Sequence, residues 1–353
     1  IQVRDTLRNY LPGFGIDYNE AEKRADKMIY YFTDCLNAVD FDAINDDEKL
    51  LNIYSKEKLG GLLSNLSLNT FESAYGFSKY KYNSDYIVYY PELISVINSY
   101  ITEDNMQMWK DIAKCLFVME YESIAPASYL SYEPTEKNMP EDEIISDILR
   151  YMSQEIGELY YYEYYTDEYK NAMKKFEADI KKAYVEMINN SEWLSEEGKS
   201  LMTKKFNNIK FHFGGQEKYE HSPSDANLIG KNIFETKTNF IKKEYNDKIK
   251  QIGTVPDFDK WGMLPQEINA YYNPSANAIY VTRGIMHSPF YDINGNYYTN
   301  LGGLGSVICH ELSHAFDSHG ILVNADGNYA PEWISQADRD AFKIVKQKTV
   351  EFY

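Results

Sequence analysis

The residues best placed to do chemistry are two histidines that lie four positions apart late in the sequence. The segment His310-Glu311-Leu312-Ser313-His314 carries the pattern His-Glu-x-x-His. On a helix, residues four apart share a face, so the two imidazoles can converge on one tetrahedral Zn²⁺. Glu311 lies beside the first ligand, where it can take a proton from a zinc-bound water. The pattern predicts metal-assisted hydrolysis of an amide bond.

A helix through this segment has one polar and one apolar face. Ile308, Leu312, Ala315 and Phe316 fall on the side opposite the histidines, so this side is expected to pack into a core. Asp317 falls on the histidine side, where its carboxylate can orient a ligand histidine through a hydrogen bond. One face of the helix can hold a metal while the other packs into a core.

Both ends of this helix carry sequence signals. Residues 301–306, Leu-Gly-Gly-Leu-Gly-Ser, predict a flexible entry with Ser306 as a candidate N-cap, and Gly320 predicts the stop. The glycines lack the Lys-Ser/Thr of a phosphate loop. A metzincin site is excluded, because it needs a glycine and a histidine where this chain has Asp317 and Gly320.

Length and charge limit the classes of function. At 353 residues the chain is long for a single core, which predicts two domains or one large composite. A net charge of −18 argues against a nucleic-acid-binding surface, which needs a basic face. The hydrophobic content of 44% is typical of a folded soluble protein.

The three cysteines and the hydropathy pattern say little about the compartment. Cys35, Cys115 and Cys309 lack metal-type spacing and cannot all pair, so we interpret them as free buried thiols. Cys309 and His310 diverge on a helix, which argues against Cys309 as a zinc ligand. No apolar run is long enough to cross a membrane, although a signal or anchor could lie outside this chain. The Asn, Tyr, Lys and Ile content favours a bacterial source and leaves the location, cytoplasmic or extracytoplasmic, open.

Apolar periodicity predicts a mainly helical chain before the zinc motif. A helix is also expected at 199–210 after an N-cap at Ser195, and 211–225, with His212 and His221, is expected to be a loop or linker. Further helical patterns include residues 18–39, 50–68, 144–159 and 173–187.

A hairpin is predicted shortly before the zinc helix. Residues 267–272 and 278–282 are rich in strand-forming residues, and 273–277 between them, Asn-Pro-Ser-Ala-Asn, is turn chemistry. An extended peptide can add to the edge of such a strand through main-chain hydrogen bonds. The alternative, which the sequence favours equally, is a hairpin that only contributes to the sheet and binds no substrate.

Several separated segments together resemble the neprilysin-like zinc endopeptidases, which include the endothelin-converting enzymes and bacterial oligopeptidase O. The segments that carry the resemblance are Ser191-Glu192-Trp193-Leu194, Asn269-Ala270-Tyr271-Tyr272, Gly284-Ile285 to Pro289-Phe290, Gly302-Gly303 to Val307-Ile308, His310 to Asp317, and Asp326-Gly327-Asn328 with Trp333. Together they are far more specific than the zinc motif alone.

The resemblance implies a fold and a set of roles. The fold is mainly α with a smaller α+β part, in which a thermolysin-like zinc catalytic domain (residues 233–353) faces a large, mostly helical cap domain (residues 1–232). The two enclose a chamber that admits oligopeptides. His310 and His314 are implied as zinc ligands and Glu311 as the general base. Asn269 and the backbone of Ala270 are implied to bind the substrate main chain.

The chain also departs from the family pattern. The family's third zinc ligand is a glutamate in Glu-x-x-x-Asp, and the downstream glutamates here, Glu332 and Glu351, are not in that motif. We therefore expect a downstream segment outside this chain to supply the third ligand. Cys309 replaces a usual glycine and Thr282-Arg283 a usual Pro-Ala, which leaves side-chain preference open.

Two functions of different classes are compatible with these residues. The first is a zinc endopeptidase that hydrolyses internal bonds of oligopeptides. The alternative is a helical peptide-binding or scaffold protein with an inactive or structural metal site. Glu311 favours the first, because a structural zinc site has no need of a base.

Overall fold

The computed structural model describes residues 2–41, 52–79, 85–121, 145–146, 149–219 and 227–352. The α-helices of the described residues include α1 (Gln2–Tyr10), α2 (Tyr18–Asn37), α3 (Lys56–Leu62), α4 (Leu68–Ala74), α5 (Pro91–Ser99), α6 (Met106–Glu120), α7 (Ser153–Tyr164), α8 (Asp167–Asn189), α9 (Glu196–Asn207), α10 (Ile233–Lys250), α11 (Tyr297–Asn300), α12 (Ser306–Ser313) and α13 (Gln336–Phe352). The strands are β1 (Asn52–Tyr54), β2 (Tyr86–Val88), β3 (Lys210–Gly214), β4 (Ala270–Asn273) and β5 (Ala278–Thr282). The predicted mainly α fold with a smaller α+β part is confirmed.

The chain forms two compact units, each made of two separate segments. The first unit comprises Ile1–Tyr151 and His221–Pro256, and the second comprises Met152–Glu220 and Asp257–Tyr353. The predicted division into domains 1–232 and 233–353 stays a prediction.

The described residues of the first unit form mostly helices, which pack around two apolar clusters. One cluster gathers α1, α2 and α6 around fully buried side chains that include Leu11, Met28 and Cys115. The other packs α3 and α4 beside the antiparallel pair β1–β2, around Leu59, Leu68 and Val88. Helix α2 begins at an N-cap, Asp17, whose carboxylate accepts from two main-chain N–H groups.

The second unit has one large core, which contains the apolar face of α12. Its three-stranded sheet has the order β3-β5-β4, with β5 parallel to β3 and antiparallel to β4. All of β5 is buried, while β4 alternates between buried and half-buried residues. This pattern follows from the sheet order, because β5 is the central strand and β4 lies at the edge.

Several of the predicted helices are confirmed. The region 18–39 forms α2, the stripe 173–187 lies in α8, and Ser195 caps α9 by accepting from the Gly198 N–H. The single helix predicted at 50–68 is wrong, because β1, α3 and the start of α4 occupy its described part. The stripe 144–159 includes Ile144 and Ile148, which lie outside the described residues; its helix begins at Ser153 and leaves Leu159 exposed.

The loop predicted at 211–225 is wrong in its first part. Residues 210–214 form β3, which pairs in parallel with β5. His212 lies in this strand with its ring stacked on Tyr280, and desolvation lowers its pKa. His221 lies outside the described residues.

The predicted hairpin at 267–282 is confirmed as β4–β5, and Asn277 completes its turn with a positive φ of 45°.

The free-thiol prediction holds for all three cysteines, although only Cys115 is fully buried. In the part of the chain that the structure describes, no helix has the length and apolar character needed to cross a membrane.

A buried carboxylate joins α13 to the start of α9. Asp338 is 2% exposed and accepts from the Ser195 N–H, the Ser195 hydroxyl and the Ser335 hydroxyl, each at 2.7 Å. Burial alone would raise the pKa of Asp338, but these hydrogen bonds outweigh it and the pKa lies below its ordinary value. Its contribution to stability is therefore complete above about pH 4 and is lost as the pH falls through the lowered pKa.

Replacing Asp338 by Ala is expected to reduce the free energy of unfolding by about 3 kcal/mol, because three donors lose a charged acceptor. Urea unfolding at pH 7 measures this loss. The matched control is Asp340→Ala, which removes an exposed carboxylate from the same helix and should change stability little. Equal destabilisation by the two substitutions contradicts the prediction.

Candidate metal centre

The zinc-motif helix is anchored along its buried side. Ile308 and Leu312 of α12 are completely buried in the core of the second unit, which also contains Ala270 of β4 and Val281 of β5. The Tyr184 hydroxyl of α8 donates to the carbonyl oxygen of Cys309 at 2.7 Å. The helix backbone is thus fixed beside the first histidine.

The expected flexible entry to this helix is wrong. Residues 301–305 form a π-helical turn that continues from α11 into α12, and Asn296 is the N-cap at the start of α11. Ser306 is not a cap, because its hydroxyl donates to the Gly302 carbonyl within the continuous helix. A Cβ on Gly303 would lie 2.2 Å from the Phe290 carbonyl oxygen, so this glycine permits a close backbone approach.

The two histidines of the motif converge at their Nε2 atoms. The Nε2 atoms of His310 and His314 lie 3.3 Å apart. Two nitrogens that share one tetrahedral zinc at about 2.05 Å each are separated by about 3.3 Å. The observed separation therefore fits two ligands of one zinc ion.

Glu311 lies between these histidines in the sequence and is 8% exposed. Within the described residues there is no group of three or more His, Cys, Asp or Glu that could hold a metal, so the donors brought together here are two. Glu332 and Glu351 do not complete the site. Burial raises the pKa of the Cys309 thiol, which disfavours the thiolate that a metal would need.

Asp317 forms a hydrogen bond with the second histidine at Nδ1, the ring nitrogen that does not face His310. Its Oδ2 lies 2.7 Å from His314 Nδ1, and its Oδ1 accepts from the N–H groups of His319 and Gly320 at 2.9 and 2.8 Å. Burial would raise the pKa of Asp317, but the hydrogen bonds from His314 and the two N–H groups lower it. The ionised carboxylate favours a proton on Nδ1, which leaves Nε2 free to bind a metal.

The helix ends earlier than predicted. Helix α12 stops at Ser313, and Gly320 begins a short 3₁₀ turn further along the chain. A Cβ on Gly320 would lie 1.9 Å from the His314 carbonyl oxygen. A glycine is therefore required where the chain folds back against the second histidine.

Lys205 of α9 was not identified from the sequence. Its Nζ donates to the carbonyl oxygens of Ala315, Gly320 and Val323 at 2.7, 2.6 and 2.7 Å. Desolvation lowers the pKa of Lys205 to about 7, against the attraction of Asp317. Three acceptors require three N–H hydrogens, so the bonded form is the ammonium. The available signal was its place beside Met202 and Phe206 on the apolar side of α9.

Asn269 and Ala270 lie at the start of β4. Asn269 is exposed, and its Oδ1 accepts from the Ala270 N–H at 2.9 Å. The Thr282 hydroxyl, at the end of β5, donates to the Asn269 carbonyl oxygen at 2.7 Å. Thr282 therefore fixes the backbone where β4 begins, and β4 packs against α12.

Comparison with known sequences decides the family. Two sequence profiles, both described as peptidase family M13, match residues 2–216 and 269–353. The chain belongs to peptidase family M13. The resemblance to neprilysin-like zinc endopeptidases is thereby confirmed.

Individual relatives agree with the M13 assignment. Endothelin-converting enzyme 1 of Cavia porcellus is 28% identical over 216 residues, which cover 59% of this chain and 28% of that protein. Neutral endopeptidase of Lactococcus lactis subsp. lactis (strain IL1403) is 28% identical over 203 residues, covering 58% of this chain and 32% of that protein. Each alignment thus covers less than a third of the relative.

Solved structures share the fold of this M13 chain. The crystal structure of Mycobacterium tuberculosis zinc metalloprotease ZMP1 with an inhibitor matches with a TM-score of 0.81 at 20% identity, over 99% of this chain and 54% of that one. The crystal structure of PEPO from Lactobacillus rhamnosis HN001 matches with a TM-score of 0.80 at 20% identity, over 97% and 56%. The chain spans about half the length of these structures.

Proposed function

We propose that the protein containing this M13 chain is a zinc-dependent endopeptidase that hydrolyses internal peptide bonds of oligopeptides. The observation that carries the proposal is the convergence of His310 and His314 Nε2 at 3.3 Å, with Glu311 next to His310 in the sequence. The family and the hydrogen bond from His314 to Asp317 support it. The third zinc ligand is proposed to come from a segment outside the described residues.

The roles of the chain's own groups follow from their chemistry. His310 and His314 would hold a zinc ion, which would supply Lewis acidity to polarise a carbonyl and make a water molecule more acidic. Glu311 takes the proton from the attacking water and can return it to the leaving amine. Asp317 keeps His314 in the tautomer whose Nε2 lone pair points away from the carboxylate.

The start of β4 is proposed to bind the substrate main chain. As the edge strand of the described sheet, β4 can accept an extended peptide through main-chain hydrogen bonds. The exposed Asn269 side-chain amide N–H has no hydrogen-bond partner among the described residues, so it can donate to a peptide carbonyl. The Ala270 N–H becomes available when the Asn269 side chain turns away from it.

The limit on substrate size is also part of the proposal. We propose oligopeptides, and not folded proteins, as the substrates, as the family resemblance implies. Relatives named endothelin-converting enzyme and neutral endopeptidase support peptides as the substrate class.

Metal removal tests the proposed function. The complete protein is expected to cleave an internally quenched oligopeptide, to lose this activity when a chelator removes zinc, and to regain it when zinc is restored. The reason is that both carbonyl polarisation and water activation require the metal. Fluorescence of the quenched peptide and bound zinc per chain are measured on the same samples. Peptide binding without turnover at saturating zinc would support the inactive scaffold instead.

A further inference from the structure

A buried cation, Lys205, binds the main chain just after the end of the zinc-motif helix. Lys205 is 0% exposed, and its ammonium binds three carbonyl oxygens that span Ala315 to Val323. Its Nζ also lies 5.7 and 5.5 Å from the ring centroids of Phe316 and Trp333. In the described part of the chain, no carboxylate forms an ion pair with it. The lysine therefore serves main-chain oxygens of one short segment.

That segment carries the residue that supports the second zinc ligand. Gly320 is held at both of its main-chain polar groups: its carbonyl accepts from Lys205 at 2.6 Å, and its N–H donates to Asp317 at 2.8 Å. Asp317 in turn binds His314 Nδ1 at 2.7 Å. A continuous series of hydrogen bonds thus runs from Lys205 through Gly320 and Asp317 to His314.

A purely structural purpose explains this arrangement poorly. Burying an ammonium is costly, and replacing a buried charged group together with its partners by apolar groups is often neutral or stabilising. An apolar side chain at position 205 could fill the same volume, but it could not fix three carbonyl oxygens at defined places. The charge matters where the position of the backbone must be accurate.

We propose that Lys205 is a positioning residue for the metal centre. By holding Gly320 and the turn around it, Lys205 fixes the Asp317 carboxylate at the place where it orients the His314 ring. This inference rests on the proposed function only in taking His314 as a zinc ligand, and it is tested by zinc affinity rather than by hydrolysis. A protein that binds zinc but cleaves nothing can therefore still confirm it.

The first test is the zinc affinity of Lys205→Met in the complete protein, measured by competition with a chromophoric chelator. We expect about a tenfold weaker affinity, at the lower end of the effect of losing a group that supports a metal ligand. The matched control is Lys237→Met, which replaces another buried lysine, 3% exposed, in the first unit. It should leave zinc affinity unchanged. Wild-type affinity in Lys205→Met overturns the proposal.

Non-additivity distinguishes positioning from general destabilisation. If Lys205 acts through Asp317, then Lys205→Met should weaken zinc binding little further in a protein that already carries Asp317→Asn. Independent roles would instead multiply the two losses and contradict the inference. If Lys205→Met does not fold, Lys205→Gln, which retains one hydrogen-bond donor group, is subjected to the same cycle with the same expected outcomes.

Chemical rescue provides a readout that packing alone would not change. Lys205→Ala lacks the three carbons and the nitrogen that propylammonium contains. Added propylammonium is expected to restore zinc affinity, whereas propanol, of similar size but uncharged, is not. Equal rescue by both compounds would show that Lys205 only fills space.

Discussion

Replacing Glu311 by Gln is expected to lower kcat for peptide hydrolysis by about 10² to 10⁴, the usual contribution of a general base. Gln has nearly the same shape as Glu but cannot take a proton from water. Because His310 and His314 are unchanged, the variant should keep its bound zinc. The two quantities to measure are the kinetic constants on a quenched oligopeptide and the zinc content of the same preparation.

The control for this substitution is Glu332→Gln. Glu332 is an exposed glutamate downstream of the motif, and it lies in a short 3₁₀ turn away from the histidine pair in sequence. Its replacement should leave both kcat and zinc content unchanged. Wild-type turnover in Glu311→Gln would falsify the assignment of the base, while loss of zinc in that variant would give Glu311 a structural role.

The zinc motif could be predicted because all its signals are local. The i, i+4 spacing of His310 and His314 is fixed by helix geometry, and the apolar positions Ile308 and Leu312 identify the buried face. Asp317 was predicted on the same grounds. Asp317 follows His314 by about one helical turn, and in the structure its carboxylate contacts His314 Nδ1.

The entry to the helix was predicted wrongly because glycine has two readings. Three glycines in residues 302–305 suggested flexibility, but Gly303 is needed for close approach to the Phe290 carbonyl. Phe290 belongs to a different segment of the chain, so the residues around Gly303 do not reveal this contact. Ser306 was predicted to be a cap because a serine within a helix and a serine at its start look alike in sequence.

Long-range partners explain the other misses. Strand β3 was taken for a loop because its pairing partner, β5, lies far along the chain, and a parallel neighbour leaves no turn signal beside it. Lys205 looked like an ordinary helix lysine. The three carbonyls that bind it become neighbours only after the chain beyond His314 folds back.

Replacing Asp317 by Asn is expected to weaken zinc binding by 10- to 100-fold, the usual cost of losing a carboxylate behind a ligand histidine. The oxygen of Asn can still accept from the N–H groups of His319 and Gly320, so the turn should be retained. The amide nitrogen then faces His314 Nδ1 and donates to it. This favours the tautomer with a proton on Nε2, the atom needed for zinc.

Titration with a competing chelator measures the affinity, and Asp326→Asn, at an exposed aspartate, is the control. Saturating zinc should restore most of the activity of Asp317→Asn, because the ligand set and Glu311 are intact. It should not restore Glu311→Gln, which already holds its zinc. If added zinc fails to recover Asp317→Asn, the aspartate has a role in the reaction beyond orienting His314. Unchanged affinity would remove it from the metal centre altogether.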